Sequence, residues 1–103
     1  MTARLFVMYP PPKNTQEFEL AYRDEHLPMA GPKLKGATGV STLRVVGPAS
    51  APPPYYLISE VVFPDVETLK SCTTSEDGRQ AVEHAASIST GGAPMVIAVV
   101  DHN

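Results

Sequence analysis

The sequence contains little cysteine. Its only one, Cys72, has no partner for an internal disulfide and no nearby cysteine or histidine at the spacing of a structural zinc site. Because it stands at the end of a predicted helical turn that also holds Leu69, we interpret Cys72 as a small structural residue rather than a nucleophile. A disulfide scaffold and a structural zinc domain are therefore excluded.

Positive charge is also scarce. Eight lysine and arginine residues stand against 11 aspartate and glutamate residues, which gives a formal net charge of −3, and no segment gathers the basic residues into a cluster. Nucleic acids and anionic membrane surfaces are bound by basic patches. Neither is an expected partner of this chain.

Long apolar runs are missing as well. The first run, after Arg4, has five residues before Pro10 closes it, which is too short for a signal-peptide core and far too short for a membrane span. Hydrophobic residues at 43% and charged residues at 18% are ordinary values for a globular protein. For a chain of 103 residues we expect one domain over residues 1–103 and a cytoplasmic location.

What the sequence does contain is an alternation of short apolar strands and helical segments. Apolar, β-branched and aromatic runs predict strands at residues 4–9, 40–46, 55–63 and 95–100, with a surface connection at residues 47–54. A helix is predicted over residues 15–30, a short one after Pro64, and another that is capped by Ser75 and ended by Gly91. This order predicts an α+β, ferredoxin-like βαββαβ fold with a four-stranded antiparallel sheet and both helical layers on one face.

Three of the predicted strands are apolar on both faces. When helices cover one face of an antiparallel sheet, the other face is normally polar. The runs LFVMY, YLISEVVF and MVIAVV do not alternate in that way. A second copy of the chain, packed sheet against sheet in a two-fold homodimer, is the simplest cover for the second face.

The helix over residues 15–30 carries the side chains best suited to proton chemistry. Tyr22, Glu25 and His26 fall within about one turn of one another, and Pro28 is expected to stop the regular helix just after them. Imidazole accepts and returns protons near neutral pH, and Tyr22 is placed to orient a substrate oxygen. A helix C-terminus beside His26 would favour the protonated ring.

A structural interpretation of these residues stays open. Tyr22 then belongs to the core with its hydroxyl group at the edge, and His26 caps carbonyl groups at the helix end. The two interpretations differ in whether a pocket lies beside the imidazole.

Other polar residues are candidates for contact with a ligand. Glu25 and Glu60 interrupt apolar patterns, and Arg44 is available to pair with Glu60, so Glu60 is either an ion-pair or interface residue or a catalytic carboxylate. His84 lies at the edge of the apolar side of its helix and faces either the same pocket or solvent. No two histidines have the close i, i+4 spacing typical of a metal site, so none is expected.

Several motifs occur together in a characteristic order. They are VMYP at residues 7–10, the Y-x-x-x-H-x-P of Tyr22, His26 and Pro28, VVFPDVETL at residues 61–69, SEDG at residues 75–78 and the final GGAPMVIAVV. In these motifs the chain resembles the EthD family, named after an ethyl tert-butyl ether degradation protein, within the dimeric α/β barrel superfamily. It departs from the family pattern at His84, Ser87 and Ile88, where an acidic residue followed by an Asn-Phe pair is expected.

The resemblance implies a homodimer with a pocket between the sheet and the helices, and no organic cofactor. The wider superfamily includes cofactor-free oxygenases, lactone isomerases, dehydratases and decarboxylases, and some haem-binding members. We therefore expect a cofactor-independent lyase, isomerase or oxygenase that acts on a small apolar, aromatic or carbonyl compound. His26 would transfer the proton, Tyr22 would bind an oxygen, and Phe6, Met8 and Met29 would exclude water.

Two other hypotheses stay open. The first is a non-catalytic binding or accessory protein of a degradation or biosynthetic pathway, which holds a small apolar metabolite in the same pocket. The second is a dimeric module with a filled interior and no ligand. The three hypotheses differ in whether a cavity exists and whether titratable groups converge on it.

Overall fold

The computed structural model describes residues 1–48 and 52–102. Its elements are β1 Ala3–Tyr9, α1 Thr15–Ala21, a π-helical turn Tyr22–His26, α2 Leu27–Ala30, a 3-10 turn Gly31–Lys33, β2 Gly39–Arg44, β3 Leu57–Phe63, α3 Val66–Thr74, α4 Glu76–Ile88 and β4 Met95–Val100. Of the predicted connection at residues 47–54, residues 49–51 lie outside the described part of the chain. Within the described residues, no helix is long and apolar enough to cross a membrane.

In the described part of the chain the strands form a four-stranded antiparallel sheet with the order β2-β3-β1-β4. β1 lies inside the sheet, where it pairs with both β3 and β4. Together with the helical segments that follow β1 and β3, this order is the ferredoxin-like βαββαβ fold. The fold class that the sequence predicts is confirmed.

One face of this sheet carries the core. Along β1 and β3 the residues alternate between buried and half-buried, as expected for strands with helices on one face only. The buried set comprises Ala3, Leu5, Val7 and Tyr9 on β1 and Leu57, Ser59, Val61 and Phe63 on β3. The apolar members of this set pack against Phe18 and Tyr22, Leu69 and Cys72, and Ala85 and Ile88 from the helices.

Side-chain caps fix where the helices begin. The Asn14 side chain accepts from the Glu17 N–H, so Asn14 is the cap of α1. Ser75 caps α4 as predicted, because its hydroxyl accepts from the Gly78 N–H while it donates to the Cys72 carbonyl. The short segment between α3 and α4 is therefore held by a single serine.

Helical structure covers residues 15–30 as predicted, but Pro28 does not stop the helix, so that part of the prediction was wrong. The helix passes through the π-helical turn into α2 and then into the 3-10 turn. In a regular α-helix a proline removes one hydrogen bond and its ring collides with the carbonyl four residues earlier. Here the Leu27 N–H donates to the Tyr22 carbonyl five residues back, and this wider turn gives Pro28 the room to remain in the helix.

The π-helical turn also keeps four buried residues on one side of the helix. Phe18, Tyr22, His26 and Ala30 are spaced four apart, and all four are buried. At 3.6 residues per turn, positions four apart drift around a regular helix. A turn that takes in one more residue offsets this drift, so Tyr22 and His26 both face the sheet.

Phe6 and Met8 lie on the second face of the sheet, away from the helices. Both are half-buried and alternate with Leu5 and Val7, which point toward the helices. Their expected place in a pocket beneath the helices is therefore wrong. The reason is the two-residue period of a strand, which sends neighbouring residues to opposite faces.

Glu60 lies on the same second face and pairs with Arg4. Arg4 Nη1 is 3.3 Å from Glu60 Oε2, and Arg4 Nε is 3.3 Å from Asp101 Oδ1. Arg44, the expected partner of Glu60, lies instead over the ring of Tyr56, 5.0 Å from its centroid. Glu60 is therefore an ion-pair residue on the face opposite the helices.

The edge strand β4 is exposed along its whole length. Its registered pairing with β1 places Ile97 beside Phe6 and Met95 beside Met8. These residues extend the apolar surface of the second face to the edge of the sheet. Ile97 keeps 40% and Met95 keeps 46% of its surface exposed, which is unusual for a set of contiguous large apolar side chains.

Candidate functional site

A small cavity lies between the sheet and the helices. Its volume is about 40 Å³. Its lining is apolar except for two polar side chains and comprises Leu5, Val7, His26, Leu27, Ala30, Gly31, Leu34, Val40, Ser59, Val61, Ala81, Val82 and Ala85. A cavity of this size admits water or one small functional group, whereas a site for a whole ligand measures about 300 Å³ or more.

His26 forms a hydrogen bond with a second histidine, His84 on α4. The two Nδ1 atoms are 2.9 Å apart. The ring planes differ by only 7°, and the ring centroids are 5.2 Å apart. Because the two Nδ1 atoms are closer together than the centroids, they lie between the rings, and the rings meet edge to edge rather than face to face. One of the two Nδ1 atoms must carry a proton and the other must accept it.

Burial sets the charge of His26. The side chain retains 7% of its surface, and removal from water, with the neighbouring His84 as a second cause, lowers the pKa of His26 to about 4. The ring is therefore neutral at neutral pH. The expectation that a helix end would favour its protonated form was wrong, because the helix continues past His26 and no free carbonyl end lies beside the ring.

The Tyr22 hydroxyl connects two strands to the π-helical turn. It lies 2.6 Å from Ser59 Oγ on β3 and 2.9 Å from Thr42 Oγ1 on β2. Each of these three hydroxyl groups has one proton to donate, so they form a chain from the exposed Thr42 to the buried Ser59. Because Ser59 also lines the cavity, this chain ends at the wall that His26 shares.

Ser59 and Thr42 are functional candidates that the sequence analysis did not select. The signal for Ser59 was present, since it and Glu60 are the polar residues in an otherwise apolar strand. Strand alternation sends Ser59 to the helix side and Glu60 to the other face. Thr42 gave no such signal, because a threonine in an edge strand is ordinary.

The Tyr9 hydroxyl lies close to this chain but is not part of it. It is buried and has no hydrogen-bond partner among the described residues. Burial is the main cause that raises the pKa of Tyr9, followed by the proximity of Tyr22, while the nearby Ser59 hydroxyl acts in the opposite direction without reaching hydrogen-bond geometry. The Tyr9 ring packs edge to face against Phe18 and Tyr22, so its role is in the core.

The structure brings together only part of the residues proposed from sequence. Tyr22, His26 and His84 meet at the cavity and its edge. Glu25 is exposed, and Met29 is half-buried but is not part of the cavity wall. Phe6, Met8 and Glu60 lie on the opposite face of the sheet, as described above. Across residues 1–48 and 52–102, no group of three or more His, Cys, Asp or Glu side chains is arranged to hold a metal ion.

The family follows from comparison of the chain with known domains. The model of the EthD domain matches residues 10–87, which is most of the chain and includes both histidines of the pair. This chain belongs to the EthD domain family. No curated protein matches it in sequence.

Solved structures similar to this EthD domain share its fold. An EthD family protein from Bacillus halodurans C-125 has a TM-score of 0.86 and 22% identity, and the match covers 99% of this chain and 100% of that chain. A dimeric ferredoxin-like protein from Jannaschia sp. CCS1 has a TM-score of 0.69 and 15% identity, and the match covers 98% of this chain and 100% of that chain. SnoaB, a cofactor-independent oxygenase from Streptomyces nogalater, has a TM-score of 0.65 and 10% identity, and the match covers 99% of this chain and 94% of that chain.

Proposed function

We propose that this EthD domain is a cofactor-independent enzyme that moves a proton on a small, largely apolar carbonyl compound. The observation that carries the proposal is the imidazole of His26, buried on the wall of an apolar cavity and held through Nδ1 by His84. A histidine that is neutral at pH 7 accepts a proton without first having to lose one. The cofactor-independent oxygenase SnoaB, which shares the fold, gives a precedent for chemistry without a cofactor on such a scaffold.

The low pKa of His26 restricts the substrate. An imidazole with a pKa of about 4 is a weak base. Proton transfer to it is efficient only from a carbon acid whose hydrogen is already acidified. The substrate class is therefore a carbonyl compound in which a second carbonyl group or an aromatic ring activates the carbon between them.

The second imidazole fixes which nitrogen of His26 is the base. When His26 Nδ1 donates along the 2.9 Å hydrogen bond to Nδ1 of His84, Nε2 of His26 keeps the free lone pair that accepts the substrate proton. The same hydrogen bond then stabilises the positive charge that forms on the buried ring of His26.

The hydroxyl chain supports the negative charge left on the substrate. If Thr42 donates to Tyr22 and Tyr22 donates to Ser59, the Ser59 proton points to the cavity, where it stabilises an enolate oxygen. In this arrangement Ser59 contacts the substrate, and Tyr22 is a positioning residue that acts through it. Cofactor-independent lyase, isomerase and oxygenase reactions of activated carbonyl compounds can each begin with such a proton transfer.

We also propose that the chain acts as one domain within a homodimer, joined through the second face of the sheet. That face carries Phe6 and Met8 with the exposed apolar side chains of β4. Exposed contiguous apolar surface of this kind marks an interface. The dimeric description of the Jannaschia protein supports the same arrangement for this chain.

A hydrogen-exchange experiment tests the proposed reaction without knowledge of the final product. The chain is incubated in D₂O with 2,4-pentanedione and with phenylacetaldehyde, and NMR follows the loss of the activated C–H signal. We expect the wild-type chain to accelerate exchange over buffer, and His26→Gln to lose about tenfold or more of that acceleration. His102→Gln, which changes an exposed histidine, is the matched control and should behave as wild type.

A non-catalytic binding protein is the second candidate, and the apolar lining of the cavity is the observation that favours it. It predicts saturable binding of the same compounds without exchange in either form of the chain. Exchange that is equally fast in wild type and in His26→Gln would remove His26 from the reaction.

A further inference from the structure

An open groove lies beside the cavity, between α3, α4 and β4. Its volume is about 440 Å³, which is within the range of ligand sites. Its lining comprises Leu5, Leu69, Thr73, Arg79, Val82, Glu83, Val96 and Ala98. Leu5 and Val82 also line the His26 cavity, so the two spaces have these side chains as a common wall.

The groove has an apolar floor and a charged rim. Neither Arg79 nor Glu83 forms an ion pair within residues 1–48 and 52–102, although they lie four residues apart on α4. The Thr73 hydroxyl already donates to the Leu69 carbonyl at 3.1 Å. The guanidinium of Arg79 is thus the strongest donor at the rim that is free to hold a ligand, and its five N–H groups suit a carboxylate.

We infer that this groove is the outer part of the substrate site, and that the substrate is an apolar carboxylic acid with a carbonyl group at some distance from its carboxylate. The inference rests on the proposed function of His26. The cavity of about 40 Å³ holds only a reacting group, so the remainder of a substrate has to lie outside it. The apolar body would lie in the groove with the carboxylate at Arg79, and the carbonyl end would enter the cavity by displacing the side chains of Leu5 and Val82, which separate the two spaces.

The length of the substrate follows from the helix. Arg79 and His84 are five residues apart on α4, which gives a rise of about 7.5 Å along the helix axis and a turn of about 140° around it, so about 7.5 Å is the least distance to span. A chain of medium length spans this distance when its carboxylate lies at Arg79. A short acid such as acetate does not.

The proposed dimer leaves the groove open. Val96 and Ala98 pair with Val7 and Leu5, whose side chains face the helices, so the groove is on the helix side of the sheet. Met95 and the alternate residues of β4 face the other way, toward the proposed partner. Groove and interface therefore use opposite faces of the same strand.

A second surface groove is the competing route to the cavity. Its volume is about 310 Å³, and it shares only Leu27 with the cavity lining. Its cation, Arg23, already lies 2.9 Å from Asp24, so a carboxylate would have to displace that contact. Only two of its six lining residues, Leu27 and Leu57, are aliphatic.

Octanoate, 1-octanol and acetate are suitable probes, used with the ¹⁵N-labelled chain in NMR titrations. We expect octanoate to bind saturably and to shift the amide signals of Val82, Val96 and Ala98 and the ring signals of His26. Acetate should not shift the His26 signals. Arg79→Met should weaken octanoate binding about tenfold and leave 1-octanol binding unchanged, while Glu83→Gln, which removes a like charge, should strengthen octanoate binding several-fold.

Arg23→Met is the matched control and should leave octanoate binding unchanged. The inference is overturned if octanoate does not bind, if Arg79→Met leaves octanoate binding unchanged, or if octanoate does not shift the ring signals of His26. It is also overturned if the shifts centre on Leu27 and Thr42 and Arg23→Met weakens octanoate binding. Each exposed variant is first compared with wild type by thermal unfolding. Groove binding without hydrogen exchange would contradict only the function proposed for His26, and exchange without groove binding would contradict only this inference.

Discussion

At the scale of single residues, the environment of His26 decides what the site can do. Sequence spacing was enough to place Tyr22 and His26 on one face of a helix, because positions four apart are neighbours on a helix surface. It was not enough to give the charge of His26, since the pKa depends on burial by residues from β1, β3 and α4. The contact with His84 joins residues 58 apart in sequence, and no local pattern predicts it.

The low pKa of His26 predicts how the stability of the fold depends on pH. The pKa is 6.5 for the free side chain and about 4 in the folded chain, so between these values the unfolded state binds more protons. Stability therefore falls as the pH falls from 6.5 toward 4, and the contribution of His26 to this loss is up to about 3 kcal/mol. Urea unfolding at several pH values measures it.

His26→Gln should flatten that dependence, because glutamine does not titrate. His102→Gln should retain the wild-type slope, since His102 is exposed. If His26→Gln and wild type lose stability equally between pH 6.5 and 4, the imidazole does not have the depressed pKa that the site requires.

At the scale of elements, backbone geometry accounts for what the sequence did not reveal. The strands and caps followed from residue patterns, and Ser75 was placed correctly as the cap of α4. The π-helical turn could not be predicted from residue patterns, because a proline normally ends a helix. The wider turn depends on how the segment packs against α4 and the sheet. That turn is the local device that directs both Tyr22 and His26 toward the cavity side.

Two glycines in helical segments should respond very differently to alanine. A Cβ on Gly78 would collide with the Cys72 carbonyl oxygen, whereas a Cβ on Gly31 would meet no atom within 4 Å outside its chain neighbours. Alanine normally stabilises a helix by up to about 1 kcal/mol relative to glycine, but the following Pro32 disfavours helical conformation for a residue with a Cβ and offsets this gain. Gly31→Ala should therefore change the free energy of unfolding by less than about 1 kcal/mol.

Gly78→Ala should lower the free energy of unfolding by about 2 kcal/mol or more, because the backbones of α3 and α4 have to separate. Denaturant unfolding of the two variants beside wild type provides the comparison. A stabilising effect of Gly78→Ala would mean that the two helices do not approach as closely as described.

At the scale of the whole molecule, the sheet explains both the fold and the expected partner. The four strands and their antiparallel arrangement could be predicted because apolar runs, prolines and glycines mark them clearly. The groove beside α4 could not, since its lining comes from β1, α3, α4 and β4 and exists only after they pack. Function is therefore less visible in the sequence than architecture.

The proposed dimer predicts that one charged substitution separates the subunits. Ile97 lies on the second sheet face with 40% of its surface exposed, and a glutamate there would bury an unpaired charge in the interface. Analytical ultracentrifugation should show wild type at twice the 11.0 kDa mass of one chain, and Ile97→Glu at the mass of one chain. Leu20→Glu, at a residue that is 48% exposed on α1, should remain dimeric. A monomeric wild type would contradict the arrangement.

The pH profile of wild-type hydrogen exchange tests the proton-transfer role of His26 most directly. With 2,4-pentanedione in D₂O, the acceleration over buffer should be constant from neutral pH down to about pH 5 and should fall with a midpoint near 4, where His26 becomes protonated. His26→Gln should lack this transition. A midpoint near 6.5, the ordinary value for histidine, or a profile identical in His26→Gln, would contradict the role of a buried neutral imidazole as the base.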